Sequence, residues 1–312
     1  MVRDRLLALA PLVAAVLWGG MYVVSEWSFS EIPPVTLSFL RVALGAGVLL
    51  VIVQRTAPQR SFSRQEWRGF VVLGFWVTVT LVPQFVGTAL TNASQGSLLT
   101  ILTPIFTVLL GVSVLGEQLT RRRLTGMALA VAGTLLVLVG HYDFSTLGGG
   151  TLAGIGMLFI ASFGWAAFTV WGAPFVRKYS ALETATYATV AAVPMIGVLV
   201  PIELAFRDGG FSGLVLTPLL VGAVLYLGVA STAAAWYLWY TGLKYADAGA
   251  VAVFFFAQPV VGVALGALIL NESIGVGFLV GGVAMVIGLY MVTTDRATSN
   301  PETRKRCISD QP

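Results

Sequence analysis

Six residues of this chain occur twice at one fixed interval. Gly87, Pro104, Gly111, Glu117, Gly126 and Gly133 recur as Gly242, Pro259, Gly266, Glu272, Gly281 and Gly288, each pair 155 positions apart. Trp18 and Trp165 form an earlier pair at 147 positions. The difference between the two intervals places an insertion in the second half, in the stretch Pro201 to Pro218 that contains Arg207-Asp208-Gly209-Gly210. Each half carries five long apolar segments, an odd number, so one copy enters a bilayer opposite to the other. Inverted copies give two near-equivalent packings, one open to each face, which is the structural basis of alternating access. The duplication thus points to a carrier rather than an enzyme or a receptor.

Composition demands a bilayer. Hydrophobic residues make up 57% of the chain and charged residues 10%, against roughly 25% charged in a soluble domain. Apolar runs predict an all-α membrane protein of ten spans at about 7–26, 34–53, 67–88, 94–115, 121–140, 150–172, 182–204, 214–241, 249–270 and 274–294. Turn signals separate them at Pro33-Pro34, Gly116-Glu117, Gly148-Gly149-Gly150 and Asn271-Glu272. The expected units are two inverted five-helix repeats, 7–140 and 150–294, and a disordered cytoplasmic tail, 295–312. The start of the chain, with Arg3, Arg5 and the run Leu6 to Trp18, reads as the first span. Pro11 follows Ala10, so no small-x-small cleavage site is formed.

The basic residues are sorted by side. Sixteen of the eighteen Lys and Arg fall in the N-terminal segment, the tail and alternate loops; Arg207 alone lies in the opposite loops, and Arg41 lies inside a span. Positive charge stays cytoplasmic, so both termini are expected inside the cell, in a multi-pass protein of the cytoplasmic membrane. The net charge of +4 sits beside helix ends rather than in one patch, which argues against a nucleic-acid partner. Cys307 is the lone cysteine and His141 the lone histidine, so neither a disulfide framework nor a His- or Cys-based metal site is expected. No Gly-x-x-x-x-Gly-Lys-Ser/Thr pattern occurs, which argues against direct coupling to ATP. No cofactor is expected.

The first half opens Leu17-Trp18-Gly19-Gly20, then Pro33-Pro34 and Leu40-Arg41, and closes with Pro104, Gly116-Glu117, Gly126 and Gly133; the second repeats Pro259, Glu272, Gly281 and Gly288. In order, spacing and duplication this resembles the ten-helix EamA-type carriers of the drug/metabolite transporter superfamily over about residues 10–294. The resemblance implies a substrate cavity between the repeats, lined by spans 1, 3, 4, 6, 8 and 9, and movement of small metabolites such as amino acids. Position 26 is Glu where these carriers often have Lys, and Thr91-Asn92-Ala93 lacks the tyrosine often found just before span 4.

Arg41 either faces the cavity and attracts a carboxylate or is held structurally, by a pair with Glu26 or Glu31 or by helix-end carbonyls, since an isolated cation at that depth costs several kcal/mol. Trp18, Tyr22, Gln84, Trp165, Trp236 and Gln258 complete the candidate substrate-binding set. Trp18 and Trp165 lie deeper than the aromatics near helix ends and are related by the repeat. Trp171, Trp239 and Tyr240 read as interfacial anchors near helix ends. The polar residues Thr78, Thr80, Gln95, Thr100, Ser231 and Thr232 either line a wet path or bond back to their own helices. Pro104 and Pro259 are expected to kink spans 4 and 9 and to shape gating, with Thr103 and Gln258 directly before them. Glu117 and Glu272, just before spans 5 and 10, read as structural caps. No Asp or Glu lies at the middle of any predicted span.

The expected function is secondary transport of a small organic metabolite, with an amino acid as one candidate, across the cytoplasmic membrane by alternating access. A sugar-phosphate or nucleotide-sugar exchanger is the alternative within the class, but phosphate calls for several cavity cations. An intramembrane enzyme lacks the His or Asp clusters its chemistry needs. The expected partners are the small-molecule substrate and the lipid bilayer, with the chain a monomer or a weak homodimer.

Overall fold

The computed structural model describes residues 7–57, 60–91, 96, 102–139, 152–206, 217–258 and 276–294. Helices dominate, and no strand occurs among these residues. In chain order they are α1 (Ala10–Gly19), α2 (Met21–Ser28), α3 (Pro34–Thr56), α4 (Arg64–Leu90), α5 (Leu102–Leu115), α6 (Arg121–Val139), α7 (Leu152–Lys178), α8 (Ala181–Gly197), α9 (Val200–Ala205), α10 (Pro218–Leu225), α11 (Ala235–Tyr245), α12 (Ala248–Ala252) and α13 (Val276–Thr293). A π-helical segment, Tyr226–Ala234, joins α10 to α11, and a 3-10 turn, Val253–Phe256, follows α12. Six helical stretches among the described residues are long and apolar enough to cross a membrane: Ala10–Ser28, Pro34–Thr56, Arg64–Leu90, Leu152–Lys178, Ala181–Ala205 and Pro218–Tyr245.

Local sequence sets the helix ends. α3 starts on Pro34, whose missing N–H costs nothing in a first turn. α4 starts with a capping box in which Ser63 and Glu66 bond to each other's backbone N–H. The Ser180 hydroxyl caps α8 and that of Thr217 caps α10. α5 stops at Gly116, whose φ of 65° is the left-handed geometry that glycine adopts without strain. Two predicted spans are broken in the structure. The first divides at Gly20. The seventh divides before α9, where Pro201 cannot donate to the carbonyl four residues back.

The repeated glycines mark close helix crossings. A Cβ added at Gly133 would lie 2.5 Å from the Gly281 carbonyl oxygen, and one at Gly126 would lie 2.9 Å from that of Gly288. The higher-numbered glycine of α6 thus faces the lower-numbered glycine of α13, so these two helices run antiparallel. Exchanging the halves at 155 residues turns each of these contacts into the other. Gly87 on α4 packs against Leu158 on α7, and Gly242 on α11 packs against Pro11 on α1. That pair also exchanges, because Leu158 and Pro11 are 147 residues apart. Without glycine the backbones could not approach this closely. Gly154 packs the same way against Thr91 and Leu90, so its role is internal packing.

Two carboxylates tie helix N-termini across the halves. Glu203 on α9 accepts from the Val35 and Thr36 N–H groups at 2.8 and 2.7 Å and from the Thr36 hydroxyl at 2.8 Å. It thereby caps α3, which has no side-chain cap from Pro33. Glu117 accepts from the Ala248 and Gly249 N–H groups at 2.7 and 3.1 Å. The expected cap on span 5 therefore lies across the start of α12 instead. The chain turns back through the left-handed Gly116, with Glu117 N–H bonded to the Gly111 carbonyl, and this turns the side chain away from α6. Arg123 pairs with Asp247 and lies 3.9 Å from Glu117. Burial first, and then Asp247, raise the Glu117 carboxyl above its ordinary value, partly offset by the two N–H groups and Arg123. Glu272 and Pro259 lie outside the described residues, as do Gln95, Thr100, His141 and the tail 295–312.

Candidate substrate cavity

Between the helices lies a narrow cleft, whose space between atoms is about 440 Å³ with open solvent included. The first half contributes Trp18 from α1, Met21 and Tyr22 from α2, Arg41 from α3, Thr80, Leu81 and Gln84 from α4, and Thr103 from α5. The second half contributes Leu158, Ala161, Ser162 and Trp165 from α7, Trp236 from α11, Phe255, and Gln258. All seven residues singled out in the sequence as substrate-binding candidates, Trp18, Tyr22, Arg41, Gln84, Trp165, Trp236 and Gln258, line this one space.

Arg41 is its electrostatic centre. The side chain is 1% exposed. Its Nε donates to Thr232 Oγ1 at 2.9 Å, and its Nη2 donates to the Ser231 carbonyl and hydroxyl at 3.1 and 3.2 Å. Nη1 faces the Met21 sulfur at 2.9 Å, a weak acceptor. The guanidinium carbon lies 5.3 Å from the centre of the Phe85 ring. Every one of these partners is neutral. The structural pair with Glu26 or Glu31 does not form: both acids lie on exposed positions, and no described carboxylate forms an ion pair with Arg41. Glu26 is turned away because α2 buries Met21, Tyr22 and Ser25 instead.

The π-helical segment supplies the Arg41 cradle. Ser231 and Thr232 lie in it, and the Thr232 hydroxyl donates to the Leu227 carbonyl five residues back. A Cβ at Gly45 on α3 would lie 2.6 Å from Thr232 Cγ2, so Gly45 is what lets α3 reach this segment. The Ser231 carbonyl also accepts from Trp18 Nε1 at 2.7 Å. One backbone oxygen thus orients both the cation and Trp18. π-Helical geometry inside a longer helix recurs at functional sites, and the sequence carries no signal for it here.

Aromatic rings form one wall. Trp18 meets Trp165 edge-on at 5.0 Å and stacks on Phe255 at 5.5 Å with 24° between planes. Trp165 meets Trp236 at 5.6 Å and Phe255 at 5.7 Å. Trp239 and Tyr240, expected as interfacial anchors, are fully buried behind this wall. Trp239 packs 4.9 Å from Phe255 and donates to Thr169 Oγ1. Gly172 makes room for the Tyr240 ring. Trp171 is half-buried and packs on Trp76 at 5.7 Å. Met21 and Phe255 were not foreseen, since each stands in an apolar run with nothing to distinguish it.

The polar groups are unevenly satisfied. Gln84 Nε2 donates to the Tyr22 hydroxyl at 2.7 Å. Thr78 and Thr80 bond back to their own helix, at Gly74 and Trp76, and only Thr80 reaches the cavity. Trp165 Nε1 and both amide atoms of Gln258 are buried without a hydrogen-bond partner. Such atoms cost about 1–3 kcal/mol each when unpaired. Pro104 is buried in the first turn of α5 as described; Thr100, whose carbonyl a kink there would free, lies outside the described residues.

The family profile described as the EamA-like transporter family matches residues 6–139 and again 152–294. An uncharacterized transporter of Archaeoglobus fulgidus is 29% identical over 92% of this chain and 96% of its own length. A probable amino-acid metabolite efflux pump of Escherichia coli K12 is 28% identical over 93% of this chain and 94% of its own. A crystal structure 19% identical in sequence superposes with a TM-score of 0.74 over 92% of this chain and 98% of that one, a likeness of fold. With both halves matched by one profile and apolar helices throughout, this chain is a multi-pass membrane protein that belongs to the EamA-like transporter family.

Proposed function

We propose that the protein is a secondary carrier that moves a small carboxylate-bearing metabolite across the cytoplasmic membrane by alternating access. The observation that carries this reading is the cavity. Both halves line it, its walls are mostly apolar, and the one charge among its described lining residues is a buried Arg41 with no counter-ion among the described residues. A cation in that position needs an anion, and in a carrier the solute is the group that brings one. The relative named as an amino-acid metabolite efflux pump points to the same chemical range. A single cation argues against a sugar-phosphate or nucleotide-sugar exchanger. Transporter names among the relatives favour a carrier over an enzyme.

The proposed architecture is ten spans in two inverted five-helix units, 7–140 and 150–294, with both termini cytoplasmic. The antiparallel crossing of α6 with α13 supports inversion. Matched helices related by an axis along the membrane normal would run parallel, whereas an axis in the membrane plane reverses one of them. The basic bias supports the orientation, and Arg60 and Lys178, from two loops assigned to the same side, line one pocket together with Glu66.

Counterflow by the purified protein in liposomes, run with a solute panel, tests the carrier reading. Saturable exchange of a carboxylate that is lost in Arg41→Gln is the expected result. Exchange unaffected by Arg41→Gln refutes the role given to Arg41. Reporter fusions after Gln59 and after Arg306 should both report cytoplasm, and a periplasmic signal from either refutes the topology.

A further inference from the structure

We infer that the cavity selects a monoanion: a small carboxylate with an apolar or aromatic body and no free ammonium group, in preference to the zwitterion. This inference rests on the carrier reading above and narrows its substrate. A zwitterionic amino acid brings a cation as well as an anion, so its site needs both a cationic and an acceptor-rich pole. The cavity has the first of these. Its described lining residues include Arg41 and no Asp or Glu, and the sequence places no acid at the middle of any predicted span.

The hydrogen-bonding inventory leans the same way. Of the described lining side chains, the buried atoms without partners are Trp165 Nε1, Gln258 Nε2 and Gln258 Oε1. Two are donors and one is an acceptor. An ammonium presents three N–H donors and would meet, besides Gln258 Oε1, only neutral oxygens such as those of Thr80, Gln84, Thr103 and Ser162, which compensate a buried charge less well than a carboxylate does. A hydroxyl, keto or acylamido group beside the carboxylate would instead meet the Trp165 and Gln258 donors.

Aromatic rings can substitute for a carboxylate as partners of an ammonium, through cation–π contacts. Here the rings cover one another. Trp18 stacks on Phe255, and Trp165 is packed against Trp18, Trp236 and Phe255 at 5.0–5.7 Å. No open cage of ring faces stands ready for a cation. Adding an ammonium beside Arg41 would also place two like charges in one narrow cleft.

The test is an equilibrium titration of the full-length protein in nanodiscs, in chloride-free buffer, read by tryptophan fluorescence because three lining residues are tryptophans. The ligands share one aromatic body: 3-phenylpropionate, phenylalanine, 3-phenylpropan-1-ol and 2-phenylethylamine. The expected result is 3-phenylpropionate at least about tenfold tighter than phenylalanine, with the amine weakest. In Arg41→Gln the advantage of the acid over the alcohol should vanish, and in Arg41→Lys part of it should remain. The wild-type ranking stands as a test even if a variant fails to fold. Phenylalanine binding as tightly as the acid, an acid preference that survives Arg41→Gln, or no binding by any of the four each overturns the inference. Counterflow separates the two readings: phenylalanine counterflow alongside equal phenylalanine binding removes the monoanion and leaves the carrier. Absence of counterflow for a broad panel removes the carrier itself.

Discussion

Glu203→Gln tests whether the cross-half caps belong to one state of the protein or to all of them. The Glu203 carboxylate holds the second and third residues of α3 by their N–H groups, and Pro33 offers these no cap of its own. Glutamine keeps one acceptor, loses the charge that the helix macrodipole favours, and turns an NH2 toward a donor. Bonds to a charged acceptor are worth about 1.5–3 kcal/mol each in burial. Glu203 is only half-buried, so water recovers part of this and a helix-cap cost of about 1–2 kcal/mol is expected. If α9 leaves α3 when the cavity opens on that side, the whole cost falls on the closed state, and the open population rises about 5- to 30-fold. The assay is labelling of Ala161→Cys, a cavity-lining position, in a Cys307→Ser background by an impermeant maleimide added outside. A labelling rate raised about 5- to 30-fold supports a gate. An unchanged rate with a lowered melting temperature makes Glu203 a permanent cap. No change in either, with Glu31→Gln as the exposed control, refutes the capping geometry itself.

The α6–α13 crossing gives a paired prediction. Gly133→Ala drives a Cβ into the Gly281 and Met285 backbone and should cost about 1–3 kcal/mol, whereas Gly47→Ala, with nothing within 4 Å, should be neutral or stabilise by up to about 1 kcal/mol. Equal melting temperatures for the two variants would contradict the close approach. Glu117 predicts a pH dependence. A carboxyl raised above its ordinary value favours the folded state at low pH, and that advantage fades as pH rises through the raised value. Wild type should therefore lose stability relative to Glu117→Gln as pH rises from the ordinary carboxylate range through the raised value, and a pH-independent difference would refute the burial argument.

What could be read from the sequence here follows from the solvent. In water, an apolar stripe at helical spacing marks the face that is buried. In lipid both faces of a span are apolar, so hydropathy gives spans but not which side faces protein. Trp239 and Tyr240 illustrate the loss: near a helix end an aromatic reads as an interfacial anchor, yet α7 and α8 pack over α11 and bury both rings. The readable residues are those that lipid penalises or that only a close neighbour explains. Arg41 and Gln258 are too polar for a lipid-facing position, and they line the cavity. The repeated glycines are too small to fill one, and four of them form the α6–α13 crossing. Tryptophan depth located Trp18 and Trp165, because an indole far from the interface needs a partner for its N–H. Trp18 has one in Ser231, and Trp165 has none among the described residues. The carboxylates gave the subtler lesson. An acid before a helix suggests a cap, but spacing assigns it to the helix next in sequence. Gly116 turns Glu117 toward α12, and the break before Pro201 presents Glu203 to α3. Both caps therefore join parts of the chain more than a hundred residues apart. The carboxylate contacts that join the two halves are thus set by three-dimensional juxtaposition, which one-dimensional spacing does not encode.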